Sequence, residues 1–377
     1  MPDEAAQARS KALIACLKQQ ITDAGGAIPF DAYMEAALYH PAHGYYTNPA
    51  PLFGEKGDFI TAPEISPLFS ACIANQAKQV LNTLNGASLL EFGAGTGKMA
   101  SDIMNTLMDL QTPFARYFIV ERSPALQEKQ RETIQEHCPM LLEKVYWVDS
   151  VPDKFRGVIL ANEVLDAMPV KRFRATHANI EEQVVRITEN GFMLDWLATD
   201  DANLHACVQQ HALTDNYTSE YLPSGENWIR DIANAIEEGI VLFIDYGFPA
   251  STFYHPSRHM GTLMCHYRHI AHPDPLVYPG LQDITAHVDF THVAIAAEKA
   301  GLTLSGFTHQ AGFLLNCGLE QFMTATDNPQ EQLAQTAAIK KLTLPHEMGE
   351  LFQVMALSKN WQESLLGFKQ FDHIARL

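Results

Sequence analysis

Apolar positions recur at helical spacing over residues 5–22, and the stretch IPFDAYMEAALYHPAHGYY reads as a second helix, with Asp31 as N-cap, closed by a proline and a glycine. The segment PLFGEKGDFITAPEISPLFSACIANQAKQVL then predicts a loop from Phe53 to Thr61 leading into a helix that begins near Pro63. From Ser88 the period changes. Short apolar runs at SLLEF, RYFIVE, KVYWVD, GVILAN and GIVLFIDYG predict strands, with amphipathic helices after the first two. Strands alternating with helices imply an α/β fold whose parallel sheet is covered on both faces. Between the fourth and fifth strands, Pro169 to Glu238 holds VKRFRAT, EEQVVRIT and GFMLDWLA, which read as antiparallel strands followed by helical pieces. That is too much chain for a loop, so it is expected to be an inserted α+β subdomain. The segment after the fifth strand, rich in proline, glycine and histidine and poor in helical period, reads as an irregular lid. A helix from Asp289 to Ala300, a strand LTLSGFTHQ, helices between Leu319 and Lys341 and a strand near LFQVMALS complete the chain. The organisation expected is an N-terminal helical segment with an active-site loop (1–85), a core formed by 86–168 and 239–377, and an insert at 169–238.

The first strand runs into Glu91-Phe92-Gly93-Ala94-Gly95-Thr96-Gly97. Glycines here let the backbone turn sharply out of the strand and let a ligand approach the main chain. A phosphate-binding P-loop needs a Lys-Ser/Thr pair after four intervening residues, which is absent; a dinucleotide GxGxxG turn would place glycine where Lys98 stands. Acid-x-Gly-x-Gly-x-Gly after a strand is similar instead to the first motif of class I methyltransferases, whose cofactor, S-adenosylmethionine, carries no phosphate. Glu91, Gly93, Gly95 and Gly97 are therefore candidate cofactor residues.

Glu121 ends the second strand, where a carboxylate can accept from both ribose hydroxyls. By itself that role fits NAD as well as S-adenosylmethionine. Asp149, after the third strand, lies where class I methyltransferases contact the adenine amino group. Each acid could equally cap a helix or end a strand in water. The fourth strand ends in Asn162-Glu163-Val164-Leu165-Asp166-Ala167-Met168-Pro169, the point that faces the transferring methyl in the class I fold. Glu163 and Asp166, three apart at a helix start, would present two carboxylates on neighbouring parts of one face, a spacing that ordinary capping also produces.

Composition narrows the partners. Lysine plus arginine total 26 against 44 aspartate plus glutamate, a net charge of −18 that disfavours nucleic acid and acidic membranes and suits a basic partner. The six cysteines lie far apart with no CxxC pair, as in reduced thiols of a reducing compartment. No apolar run approaches the roughly 20 residues of a membrane span, and MPDEAAQARSKALIACLKQQ opens with two acids where a targeting segment would open with bases. A cytoplasmic protein is expected, or a mitochondrial-matrix one if a targeting segment has been removed. His266, His269 and His272 lie three apart and His287 precedes Asp289, but the HxxxH spacing and cysteine ligands are missing, so no metal is expected. His287 and Asp289 read as caps or lid-ordering residues, with a general-base role for a histidine left open.

LFGEKGDFITAPEIS, EFGAGTG, ANEVLDAMPV, FIDYG and YPGLQDITAHVDF occur in this order over about Pro29 to Phe368. Together they resemble the MidA-like family of S-adenosylmethionine-dependent methyltransferases, which includes the mitochondrial assembly factor for respiratory complex I, a protein arginine methyltransferase. The resemblance implies a class I (Rossmann-like) methyltransferase sheet, S-adenosylmethionine as cofactor, and an arginine-bearing protein as acceptor, such as a respiratory-complex subunit. It places Gly57, Asp58, Phe59 and Thr61 at the active-site rim and Asn162, Glu163, Asp166 and Asp245 beside the acceptor. Glu163 and Asp166, with Asp58, become the candidate catalytic carboxylates, and Asn162 joins the cofactor residues. One departure stands out: many relatives carry arginine in the glycine turn where this chain has Thr96. A noncatalytic assembly chaperone, a small-molecule methyltransferase and an NAD oxidoreductase are the alternatives the sequence leaves open.

Overall fold

The computed structural model describes residues 2–47 and 61–377, and these divide into two compact units. One comprises residues 60–165, 228–247 and 290–377. Its strands are β1 (Ser88–Phe92), β2 (Tyr117–Val120), β3 (Val145–Val148), β4 (Phe155–Asn162), β5 (Ile236–Phe248), β6 (Thr303–His309) and β7 (Phe352–Lys359). They lie in the order 3-2-1-4-5-7-6. Neighbours from β3 to β5 are parallel, and β7 runs antiparallel to both β5 and β6. This is the α/β class I methyltransferase sheet. The chain leaves β1 outward through β2 and β3, then returns to β4 on the other side of β1. That reversal falls at the carboxyl ends of β1 and β4, the place where open α/β sheets take their ligands.

The apolar runs become strands because helices cover them. In α2 (Pro67–Thr83) Ser66 is the N-cap, its hydroxyl accepting from Leu68 N–H at 3.3 Å, and Pro67 occupies the first turn. α2 buries Phe69, Ile73, Ala77 and Val80, and α3 (Lys98–Asp109) buries Ile103, Met104 and Leu107, in one core with Leu89, Ile119, Val158 and Leu242 of the sheet. Each large apolar side chain so buried stabilises by roughly 1.5–3 kcal/mol. The segment before α2 holds a one-turn helix, α1 (Ala62–Ile65), and α4 (Pro124–His137) follows β2.

The other unit comprises residues 1–59, 166–227 and 248–289. Its helices are Glu4–Asp23, capped by Asp3, and Phe30–Tyr39. Asp31 lies inside the first turn of the second helix, and Pro29 takes the N-cap position that the sequence pattern assigned to it. The insert's strands Lys171–Ala175, Ile180–Thr188 and Gly191–Ala198 are antiparallel as expected. Two further strands join them, Tyr217–Tyr221 and Ala27–Pro29, the latter pairing Ile28 with Val185. Both are too short to show a period, and their place is set by the neighbour.

The segment expected to be an irregular lid contains a three-stranded antiparallel sheet, Ile270–His272, Met264–Tyr267 and Asp283–Thr285. Its buried Cys265 and Ile284 share a core with Leu13, Leu17, Tyr33 and Leu38 of the N-terminal helices and Val185 of the insert. The compact units are therefore cut differently from the expected 1–85, 86–168 with 239–377, and 169–238. Residues 62–83 pack with the large sheet, whereas the first two helices, the insert and the 248–289 segment share a core, because that is where their apolar faces are buried.

Candidate active site

The glycine turn follows from backbone geometry. Gly93, Gly95 and Gly97 have φ of 61°, 51° and 83°, in the left-handed region that a side chain disfavours. A Cβ on Gly97 would also lie 2.9 Å from the Cα of Gln130 in α4, so the turn and that helix are in direct backbone contact. A Cβ on Gly93 would meet the Val164 side chain at 3.4 Å, which brings the turn against the segment that follows β4.

Lys98, the first residue of α3, is ion-paired with Asp102 one turn on. The cation that would neutralise a phosphate is thus already committed, which suits a cofactor without one. Thr96 sends its hydroxyl to Oε1 of Glu64 in α1 at 2.5 Å and accepts from Lys98 N–H at 3.3 Å. The glycine turn is thereby tied to an acid of α1.

Glu91 is 1% exposed, and its Oε2 accepts from the Tyr117 hydroxyl at 2.5 Å. Burial pushes its carboxyl up to about 7, partly offset by the Tyr117 hydrogen bond and assisted by the nearby Glu121 charge. Glu121 is half-buried at the end of β2. Its Oε1 accepts from Ser123 N–H at 2.9 Å and its Oε2 from Gln130 Nε2 at 3.0 Å. Burial raises its pKa, and these donors, with Arg122, pull it back down. Asp149 is exposed immediately beyond β3.

At the end of β4, Asn162 gives Nδ2 to Oε1 of Glu163 at 3.1 Å, while its own Oδ1 is buried without a partner among the described residues. That acceptor matches an ammonium such as the one on the methionine end of the cofactor. Glu163 has φ of 52°, a left-handed conformation uncommon for a non-glycine residue, and its N–H donates to the Ile244 carbonyl at 2.9 Å. Asp245, 1% exposed, organises the same turn: its Oδ2 accepts from the N–H groups of Val164 and Leu165 at 3.1 and 2.9 Å. These bonds hold the segment that follows β4 in shape.

Asp166 falls in the other compact unit. It is 5% exposed, its carbonyl accepts from Ala286 N–H at 3.0 Å, and its charge acts on Tyr46, whose hydroxyl donates to Asp283 at 2.9 Å. Gly57, Asp58 and Phe59 lie outside the described residues. Thr61 is the N-cap residue of α1. His266 and His272 sit on paired strands with His269 in the turn between them, and among the described residues no group of three or more His, Cys, Asp or Glu is arranged to hold a metal ion. His287 lies edge-on to Phe248 at 5.2 Å between ring centres, and burial, aided by Arg258, lowers its pKa to about 4.

Sequence reasoning missed Gln130, Glu64, Tyr117 and Trp147. Each is an ordinary residue inside a helix or strand, and only the partner it meets across the fold gives it a task.

The comparisons agree with this geometry. Residues 72–308 match the S-adenosyl-L-methionine-dependent methyltransferase family Methyltransf_28. The chain is 28% identical to the protein arginine methyltransferase NDUFAF7 homolog, mitochondrial, of Caenorhabditis elegans, over 90% of this chain and 85% of the relative. It is also 28% identical to the Danio rerio protein arginine methyltransferase NDUFAF7, mitochondrial, over 89% and 84%. A COG1565 superfamily member of Burkholderia thailandensis solved bound to S-adenosyl-homocysteine superimposes with a TM-score of 0.96 at 41% identity, covering 100% of this chain and 99% of that one. The glycine turn, the class I strand order and the matched span lead to one assignment: the chain belongs to the MidA-like family of S-adenosylmethionine-dependent methyltransferases.

Proposed function

We propose that this methyltransferase modifies arginine on a protein acceptor. The observation that carries the reading is Glu163, a carboxylate fixed in a left-handed backbone at the end of β4 and braced by Asn162 and the Ile244 carbonyl. Strain of this kind is retained where a side chain must be aimed. The curated relatives, named protein arginine methyltransferases over most of their length, support the same acceptor.

In this reading the glycine turn and Asn162 receive the methionine end of the cofactor, Glu121 receives the ribose hydroxyls and Asp149 the adenine amino group, with Glu91 shaping the turn from within the core. When bound, S-adenosylmethionine supplies an electrophilic methyl on a sulfonium. The protein's task is to position the nucleophile in line and to deal with charge. A guanidinium is protonated and delocalised at neutral pH. Glu163 grips it through charge-assisted hydrogen bonds, localises a lone pair on the attacking nitrogen and takes up the proton that this nitrogen releases.

The resemblance supports a respiratory-complex subunit as client, and the scattered cysteines support a reducing compartment, cytoplasm or matrix. All six cysteines are free thiols, and among the described residues no helix is long and apolar enough to cross a membrane.

The test uses methyl-labelled S-adenosylmethionine with candidate subunits and with a pool of small metabolites, the product being identified by mass spectrometry. Methylarginine in protein, with turnover by Glu163→Gln lowered about 100-fold at unchanged cofactor affinity, is the expected result. Label confined to metabolites, or equal losses of turnover and affinity in the variant, would refute it.

A further inference from the structure

Gln130 is fully buried in α4, and one side-chain amide there meets three different strands' ends. Its Nε2 donates to the Gly95 carbonyl in the glycine turn at 3.1 Å and to Oε2 of Glu121 beyond β2 at 3.0 Å. Its Oε1 accepts from the Trp147 indole N–H on β3 at 2.9 Å. The partners fix which way the amide points. Turned over, it would set its oxygen against a carbonyl and a carboxylate and its NH2 against another donor. Only glutamine offers two donors and an acceptor at this reach: glutamate would put a second carboxylate against Glu121, and methionine would fill the space with no polar atom. The missing Cβ of Gly97 is what lets the α4 backbone come this close.

We propose that Gln130 is a positioning residue for the cofactor, aiming Glu121 at the ribose hydroxyls while tying the glycine turn to the adenine side at β3. This rests on the reading of Glu121 as the ribose-binding acid. With Oε2 held by Gln130, Oε1 by Ser123 N–H and the Arg122 N–H bonded to the same carboxylate, the group cannot rotate, and it keeps acceptor capacity for the ribose hydroxyls. The charged groups acting on it among the described residues are Arg122, next in the chain, and Glu91 on β1. Ribose binding needs the ionised form, so removing the Gln130 donor moves the acid-side loss of cofactor affinity to higher pH.

The experiment is calorimetric titration of the full chain with S-adenosylmethionine at several pH values, on wild type, Glu121→Ala, Gln130→Met, Gln130→Glu, Trp147→Phe and the double variant Gln130→Met/Glu121→Ala. Gln130→Met should weaken binding about tenfold, the scale of a hydrogen bond to a charged group, and Gln130→Glu, although closer in shape, should weaken it more. The acid limb should rise in pH in Gln130→Met, and the double variant should lose less than the product of the single losses. A role in packing alone predicts the reverse order of the two Gln130 variants and an unmoved acid limb, and either result overturns the proposal.

Glu121→Ala binding at wild-type strength would remove the ribose reading itself. A weakened Glu121→Ala beside an unaffected Gln130→Met would remove only the role of Gln130. Should neither Gln130 variant fold, Trp147→Phe decides: it deletes the indole donor and keeps an aromatic ring beneath Arg131, so affinity should fall about threefold as the amide loses its orientation, and unchanged affinity overturns the bridge.

Discussion

The Tyr117 hydroxyl donates to Oε2 of Glu91 at 2.5 Å inside the core of the sheet, where both side chains are almost wholly buried. Burial pushes the Glu91 carboxyl up to about 7 from an ordinary 4.5, so across that window the folded chain binds more protons than the unfolded one. Stability from this group is therefore lost as pH rises from about 4.5 to about 7, and the loss is complete above it. Glu91→Gln keeps an acceptor for Tyr117 without the charge. Without cofactor, it should be more stable than wild type by about 1–3 kcal/mol at pH 8 and nearly equal to it at pH 4.5, measured by denaturant unfolding. The same offset at both pH values would mean that the charge of Glu91 is not what burial penalises.

His287 has the opposite sign. Its pKa is lowered to about 4, so the folded chain prefers the neutral ring and stability is lost as pH falls from about 6.5 to about 4. His287→Gln removes the titrating ring and leaves the backbone N–H free to keep its bond to the Thr262 hydroxyl. Acid unfolding of the variant should begin at lower pH, with a gain of about 1–3 kcal/mol relative to wild type between pH 7 and pH 4. Superimposable acid limbs would exclude His287 as a source of acid sensitivity.

The core strands were legible because each is a run of apolar residues between polar turns, and the glycine turn because backbone shape dictates its glycines. The antiparallel sense of β7 was not, since its apolar run FQVMALSK is buried in either direction. Ala27–Pro29 reads as the lead-in to a helix, and it is a strand only because Val184, Val185 and Arg186 lie alongside. In the site, Glu121 and Glu163 were visible as acids at strand ends. Gln130 was not, because a buried glutamine in a helix differs from an exposed one only by what it meets. Asp245 was visible as an acid but its task was not: the N–H groups of Val164 and Leu165 that it satisfies are 80 residues or more away in the chain.

Thr96 and Glu64 give a third expectation. Their hydrogen bond joins the glycine turn to α1. Thr96→Val keeps the shape and removes the hydroxyl that donates to Glu64 and accepts from Lys98 N–H. Stability should fall by about 1 kcal/mol, and Glu64→Gln, which can still accept from Thr96, should lose less. If both substitutions cost the same, the negative charge of Glu64, and not the hydrogen bond, is what matters.

Glu163 separates stability from activity in one side chain. At φ of 52° a glutamate resists its backbone, whereas glycine adopts it without strain. Glu163→Gly should therefore fold at least as stably as wild type, gaining up to about 1 kcal/mol, offset by the lost hydrogen bond from Asn162. Cofactor affinity should fall far less than turnover, because the glycine turn and Glu121 are untouched and Asn162 loses only the one oxygen that its Nδ2 meets. Turnover should fall about 100-fold or more, since the carboxylate proposed to grip the acceptor is gone. Thermal unfolding and kcat measured on the same preparation distinguish the cases. A variant less stable by several kcal/mol would make Glu163 a structural brace whose geometry serves the fold. One that is stable and fully active would leave the strained carboxylate with no part in methyl transfer.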